Sequence, residues 1–408
     1  MENRTERLAA DQSPMAADKK KILFITPGAQ SFGGNIFLLN FLRWYRKNGE
    51  FDFVTLYGRP GDLDNDFSEL SATYRYFSSE EGWPFARRAA GKLVNQLELR
   101  RAFLRTRLGR ENIGLIYCNA VTNGRMLSMF DHLDLPVISH CHELESLIQM
   151  TGIEDFNRLR DRTSHFVAVS NAVRRNLISN HEIPDEKISL IHAFIPIENR
   201  PAEKNEAKRA SVLKELDLPG DAFIVGGSGT LNWRKAPELF IQLAHAVRFK
   251  ASTVPIYFVW VGGAEKDGAG IFQLRYDAEK GGVSERVRFV PHTKNPLDYF
   301  AAIDVFAMVS REDPYPLVCL EAASLGKPII CFADAGGMPE FVEDDCGYVI
   351  PYMDIGGFAD KVIESAADRE KTKMLGENAS RKVRARHEIE VAAPAIADLI
   401  ARFMNGRS

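Results

Sequence analysis

Residues 310–326 read Ser-Arg-Glu-Asp-Pro-Tyr-Pro-Leu-Val-Cys-Leu-Glu-Ala-Ala-Ser-Leu-Gly. They follow Val305-Phe306-Ala307-Met308-Val309, an apolar run of the kind that forms a buried parallel strand. Asp313 closes the turn after that strand. Pro314 and Pro316 stiffen the backbone, and proline suits the first turn of a helix. The helix expected next is apolar almost all round (Leu317, Val318, Cys319, Leu320, Ala322, Ala323, Leu325), which predicts burial. Glu321 nevertheless puts a carboxylate near its middle, a costly placement unless something pairs with it. Gly326 ends the helix, and Lys327-Pro328 leads into a further strand at 329–332.

The pattern resembles the signature of the retaining glycosyltransferases of family 4, which use nucleotide-sugar donors. That signature is an acid, seven residues, a Glu, then Ala and Gly-Lys-Pro or similar. Asp313 and Glu321 stand at this spacing, with Ala322 and Gly326-Lys327-Pro328 behind them. The family's first acid is usually Glu, so Asp313 is a departure, and the adjacent Glu312 is the alternative. The resemblance implies an α/β chain of the GT-B fold, two Rossmann-like domains facing each other across a donor cleft. It also implies that the first acid holds a donor-sugar hydroxyl and that Glu321 accepts from the ribose hydroxyls. Tyr315, Leu317 and Val318 are then donor-binding candidates. The competing reading is an acid favoured by a helix dipole plus an isolated Glu; the apolar setting of Glu321 argues against it.

At 408 residues the chain exceeds one ordinary domain, and two α/β domains of about 200 residues each are the natural division. Hydrophobic residues make up 45% and charged residues 26%, as in soluble globular proteins. A net charge of -3 gives no global reason to expect a nucleic-acid partner. No run of about 18 apolar residues predicts a transmembrane helix. Residues 1–19 read as a polar, disordered tail without the apolar core of a signal peptide. Cys118, Cys141, Cys319, Cys331 and Cys346 form no CxxC pair, which suits buried thiols in a reducing cytoplasm.

The first domain is expected over 20–200. A strand at 20–26, a turn carrying Gly33-Gly34 and a helix at 36–48 open a Rossmann-like unit. The turn is not G-x-G-x-x-G, so a dinucleotide is not indicated. The glycines let backbone approach a ligand at a helix N-terminus, where free N–H groups favour anions; alternatively they only shape the turn. The strand at 136–143 ends in His140-Cys141-His142-Glu143. His140 and His142 share a strand face, yet no third ligand is spaced to complete a metal site. The resemblance instead gives His142 a contact with the donor sugar near its 6-position. Between 83 and 110, eight basic residues accompany one acid among interleaved apolar residues. That composition fits a helix lying on an anionic membrane surface or an amphipathic helix packed on the sheet.

A charged connection over 198–220 leads to the second domain, 221–385, which repeats the strand–turn–helix opening. Lys235 corresponds by resemblance to the lysine that neutralises the donor diphosphate. The family's partner arginine would fall at Thr230, and Arg234 is the substitute candidate. Two cations at a turn before a helix make an anion site in their own right. Pro291 and His292 are candidates for the nucleobase corner, and Gly336-Gly337 for the cleft wall. Residues 377–403 read as one amphipathic helix, with 386–408 returning to the first domain.

The resulting expectation is a cytoplasmic, metal-independent hexosyltransferase with no cofactor beyond a UDP- or GDP-sugar donor. Its acceptor would be a hydroxyl of a lipid-linked cell-envelope glycan, reached from the inner face of the plasma membrane. No Asp-x-Asp in strand context points to a metal on the diphosphate. An epimerase of the same fold and a non-catalytic sugar-binding subunit are the alternatives; the set Lys235, Glu321 and His142 weighs against the latter.

Overall fold

The computed structural model describes residues 20–77, 99–198, 201–250, 254–263 and 268–406; the expected tail at 1–19 and the first part of the basic stretch, 83–98, lie outside the described residues. The first sheet contains β1 (Lys21–Gly28), β2 (Phe53–Arg59), β3 (Thr73–Arg75), β4 (Ile113–Asn119), β5 (Val137–Cys141), β6 (His165–Ala168) and β7 (Ile188–Leu190) in the order β3-β2-β1-β4-β5-β6-β7. The second contains β8 (Phe223–Ser228), β9 (Ile256–Val261), β10 (Val287–Val290), β11 (Val305–Met308), β12 (Ile329–Phe332) and β13 (Gly347–Ile350) in the order β10-β9-β8-β11-β12-β13.

Neighbouring strands pair in parallel throughout. Their central residues are buried on both faces, as in β1 and β11. This follows from helices covering each sheet on both sides, and it explains runs such as Ile256–Val261 that do not alternate. Strand order reverses between β1 and β4 and between β8 and β11. Ligand crevices in open parallel sheets form at such reversals, beyond the carboxyl ends of the strands. Gly28 and Asn119 end the strands at one reversal, Ser228 and Met308 at the other.

Two elements differ from the sequence expectation. The first helix spans Gly33–Asn48, so the glycine pair is its first turn rather than part of the preceding loop. Phe32 at its N-cap makes no side-chain cap bond. The expected single helix at 377–403 is two helices, Arg369–Arg386 and Ile389–Met404, broken at His387-Glu388. The break is where the chain crosses back: Ile195 N–H donates to His387 O at 2.9 Å and Ile389 N–H to Ile195 O at 3.0 Å. Extended backbone is required to make that bridge, so the helix must stop. The last helix then packs on Gly33–Asn48, and Trp44 Nε1 donates to Glu390 at 2.8 Å.

The loop carrying Asp313 is tied to the loop after β12. Asp313 N–H donates to Ala335 O at 2.6 Å, and Gly337 N–H donates to Asp313 O at 3.3 Å. Gly336 lies between at φ 137°, and a Cβ there would stand 1.8 Å from Asp313 O. Only glycine meets both constraints. Gly336→Ala is therefore expected to lower unfolding free energy by at least about 2 kcal/mol. A wild-type denaturation midpoint in that variant would show that the bridge does not hold the loop.

Candidate functional site

Asp313 is the charged centre of the second domain's crevice. It is buried, and its two oxygens face two cations. Arg234 Nη1 lies 3.1 Å from Oδ1, while Lys235 Nζ and the Ser310 hydroxyl, at 3.2 Å, donate to Oδ2. Burial alone would raise Asp313, but Lys235 and Arg234 outweigh it and hold the carboxyl below its ordinary value. Arg234 also donates to Glu312 O at 3.0 Å. The cations come from the turn between β8 and the helix Pro237–Phe249, where Lys235 N–H is fixed by Asn232 Oδ1 at 2.9 Å. Thr230 leaves the expected arginine position vacant, and Arg234 reaches the same carboxylate from beside Lys235.

Behind Asp313 the helix Leu317–Ser324 begins at Pro316 without a side-chain cap. The N–H groups of Leu317 and Val318 have no acceptor among the described residues. These two residues thus bear on the site through backbone rather than side chain, while their side chains pack on the core. Uncapped N–H groups beside Lys235 and Arg234 suit an anion. Glu321, four residues into the helix, has no hydrogen-bond or ion-pair partner for its carboxylate among the described residues. Surrounding protein raises it to about 7 through desolvation.

The first domain presents Gly33, Gly34, Asn119 and His142. His142 is partly exposed beyond the end of β5 and packs tilted against Phe37, with ring centroids 4.9 Å apart. Burial lowers it to about 3, so it is neutral at physiological pH. A Cβ on Gly34 would meet His142 and Asn119 at 3.9 Å, ordinary contact, so Gly34 is adjacent to this histidine but not sterically required by it. Gly33 is open. His140 shares the strand face as expected, its ring 4.2 Å from that of His142, but it is fully buried against the Tyr117 hydroxyl at 2.7 Å. Among the described residues no group of three or more His, Cys, Asp or Glu could hold a metal.

Glu312 and Tyr315 both bond across to the first domain or to the crossover. Glu312 crosses the cleft and accepts from Ser146 N–H at 3.2 Å and Ser146 Oγ at 2.5 Å. It binds the first turn of the helix Glu145–Thr151, while Asp313 binds the two cations. The Tyr315 side chain turns into the crossover, its hydroxyl 3.2 Å from His387 Nε2 and its ring 5.1 Å from His192. Packing there accounts for its burial. Pro291 and His292 are exposed at the end of β10, and His292 N–H is already bonded to Gly263 O at 2.8 Å.

Residues not foreseen from sequence complete the cleft. Glu340 accepts from Asn171 N–H at 3.0 Å, Ala172 N–H at 3.1 Å and His192 at 3.0 Å, all in the first domain. Glu143 is buried at about 7, raised by desolvation against bonds from Val121 and His142 N–H. Glu312 and Glu340 also line an interdomain cavity of about 560 Å³ with Trp233, Arg311 and Asn176. Of the residues expected from sequence, Glu312 and Gly336 border it.

In the basic stretch, the described helix Leu99–Leu108 buries Leu104 and Leu108. Arg100 donates to Arg75 O at 2.7 Å, Arg101 to Ser128 Oγ at 2.8 Å and Arg105 to Met129 O at 3.0 Å. These arginines bond inward, in keeping with the packed-helix reading for this part. No described helix is long and apolar enough to cross a membrane.

The family model described as Glycosyltransferase Family 4 matches residues 33–199, and the one described as Glycosyl transferases group 1 matches residues 208–382. The chain belongs to glycosyltransferase family 4. Among its relatives, the D-inositol 3-phosphate glycosyltransferase of Streptomyces bingchenggensis is 32% identical over 272 residues, 64% of this chain and 57% of that protein. The protein of the same description from Mycolicibacterium smegmatis is 27% identical over 216 residues, 52% of this chain and 46% of that one. The chain thus spans about half the length of these relatives. Among solved structures, Anabaena HepE in complex with UDP and glucose superposes with a TM-score of 0.76 at 19% identity, covering 94% of this chain and 99% of that one. The lipopolysaccharide outer core galactosyltransferase WaaB superposes at 0.68 and 13% identity, covering 93% and 99%. The family 4 chain has the GT-B architecture of these proteins.

The raised Glu321 makes a sign-specific prediction. Its folded value, about 7, exceeds the ordinary 4.5, so the fold favours the neutral acid. That stabilisation is complete below the ordinary value and is lost as pH rises through 7. Relative to Glu321→Gln, the wild type should therefore gain up to about 3 kcal/mol between pH 8 and pH 4.5 in denaturant titrations. A pH-independent difference would mean that Glu321 titrates as it would in water.

Proposed function

We propose that this chain is a retaining hexosyltransferase that moves a sugar from a nucleotide-diphosphate donor, with UDP as the favoured nucleotide, to an acceptor hydroxyl. The observation that carries this reading is the convergence of Lys235 and Arg234 on Asp313, just before the uncapped start of the helix Leu317–Ser324. When the bond from the anomeric carbon to the diphosphate breaks, negative charge grows on the leaving oxygens. Fixed cations and backbone dipoles stabilise that charge without reorganising. Asp313 would hold a sugar hydroxyl, Glu321 would accept from the ribose hydroxyls, and His142 would orient the sugar. Retention would follow from front-face substitution, the acceptor hydroxyl entering on the side the diphosphate leaves and passing its proton to a phosphate oxygen.

The acceptor proposed is a lipid-linked envelope glycan. The D-inositol 3-phosphate glycosyltransferase relatives favour a second reading, a small phosphorylated cyclitol. Nucleoside diphosphate release should be measured with UDP- and GDP-sugars, with each acceptor class and with none. Acceptor-dependent release supports transfer, release without net transfer points to a hydrolase, and interconversion of donor sugars points to an epimerase. No turnover with any donor contradicts the reading.

Lys235→Ala should lower kcat and raise the donor KM together, a loss of order 10²-fold or more in kcat/KM. Wild-type turnover in that variant would remove Lys235 from the site. Activity should also persist in EDTA, because the counter-charges are side chains and helix dipoles; loss of turnover restored by Mg²⁺ or Mn²⁺ would contradict this.

A further inference from the structure

Asn119 ends β4 at the strand-order reversal of the first sheet and is fully buried. Its amide joins two candidate-site elements that are far apart in sequence. Nδ2 donates to Gly34 O at 2.9 Å and lies 3.5 Å from the Thr26 hydroxyl; Oδ1 lies 2.9 Å from His142 Nε2. The orientation is dictated by chemistry. A backbone carbonyl only accepts, so the amide nitrogen must face Gly34 O. The amide oxygen then faces His142, and it too only accepts. Nε2 must therefore carry the imidazole proton. The Thr26 hydroxyl donates in turn to Asn35 Oδ1 at 2.8 Å, and Asn35 Nδ2 donates to Gln30 O at 2.8 Å. Two carbonyls flanking the start of the first helix thus set the direction of the whole network.

We infer that Asn119 is a positioning residue that locks His142 in the Nε2–H tautomer, so that His142 meets the substrate only as a hydrogen-bond acceptor through Nδ1. Nδ1 has no partner among the described residues and is not sealed from solvent. Its low proton affinity fits this role, since a protonated ring would offer a donor there as well. The group it recognises must then be a donor, a neutral sugar hydroxyl; a carboxylate or another carbonyl at that place would face a lone pair. This inference rests on the proposed role of His142 toward the donor sugar.

The tautomer is read directly by ¹⁵N–¹H correlation on histidine-labelled protein, with the His142 signal assigned by its loss in His142→Gln. The expected result is the Nε2–H pattern in wild type and in Asn119→Asp, which keeps the acceptor, and a shift toward the other tautomer in Asn119→Ala. The Nδ1–H form or a mixture in wild type, or no change in Asn119→Ala, would overturn the lock. This readout needs no turnover, so it separates failure of the lock from failure of the transferase reading.

Kinetics with single-deoxy analogues of the accepted donor test the consequence. Removing one particular hydroxyl should cost about tenfold or more in kcat/KM in wild type and much less in Asn119→Ala. Equal losses in the two proteins at every position would overturn the assignment of His142 as an acceptor of a sugar hydroxyl.

Discussion

A buried carboxylate held between two cations organises the cleft. Asp313 would be costly alone in its surroundings, and Lys235 and Arg234 reverse that cost by direct charge contact. One anion against two cations leaves the cluster with a positive excess. That excess sits where two backbone N–H groups are also unsatisfied. Such an arrangement favours an anionic group. The backbone bridge through Gly336 ties the loop after β12 to Asp313, so that loop is part of the site.

The same carboxylate chemistry joins the domains. Glu312 and Glu340 leave the second domain and bond the first turns of two helices in the first, Glu145–Thr151 and Asn171–His181. Negative charge is favoured at helix N-termini, so each contact combines hydrogen bonds with the helix dipole. Bonds from His192, Asn171 and Ala172 offset burial and keep Glu340 ionised below its ordinary value. The crossover at Ile195 and His387 adds a backbone tie on the same side. Together these contacts tie the two domains across the cleft.

What the sequence revealed was local. The spacing of Asp313 and Glu321, the apolar strand before them and the glycine pair near the first strand are all short-range patterns, and each corresponds to a strand, turn or helix of the structure. The residues that escaped notice act through distant partners. Asn119 meets Gly34 and His142; Glu340 meets Asn171; Ser146 meets Glu312. Nothing in the flanking residues distinguishes Asn119 from an ordinary strand-end polar residue. Tyr315 likewise acts through a distant partner. Its place beside Asp313 suggested donor contact, and nothing in the local sequence signals that its ring also packs on His387 in the crossover. The break at His387 was hidden for the same reason, because only the first domain supplies the strand-like partner that stops the helix.

The central claim is that Lys235 and Arg234 are held on Asp313 in readiness for a nucleotide diphosphate. Calorimetric titration of UDP into wild type and Asp313→Asn tests it most directly. Asparagine keeps the shape and removes the competing charge. The account predicts that UDP binds the variant several-fold more tightly, because both cations then face the diphosphate alone. Unchanged or weaker UDP binding by a folded Asp313→Asn protein would contradict it.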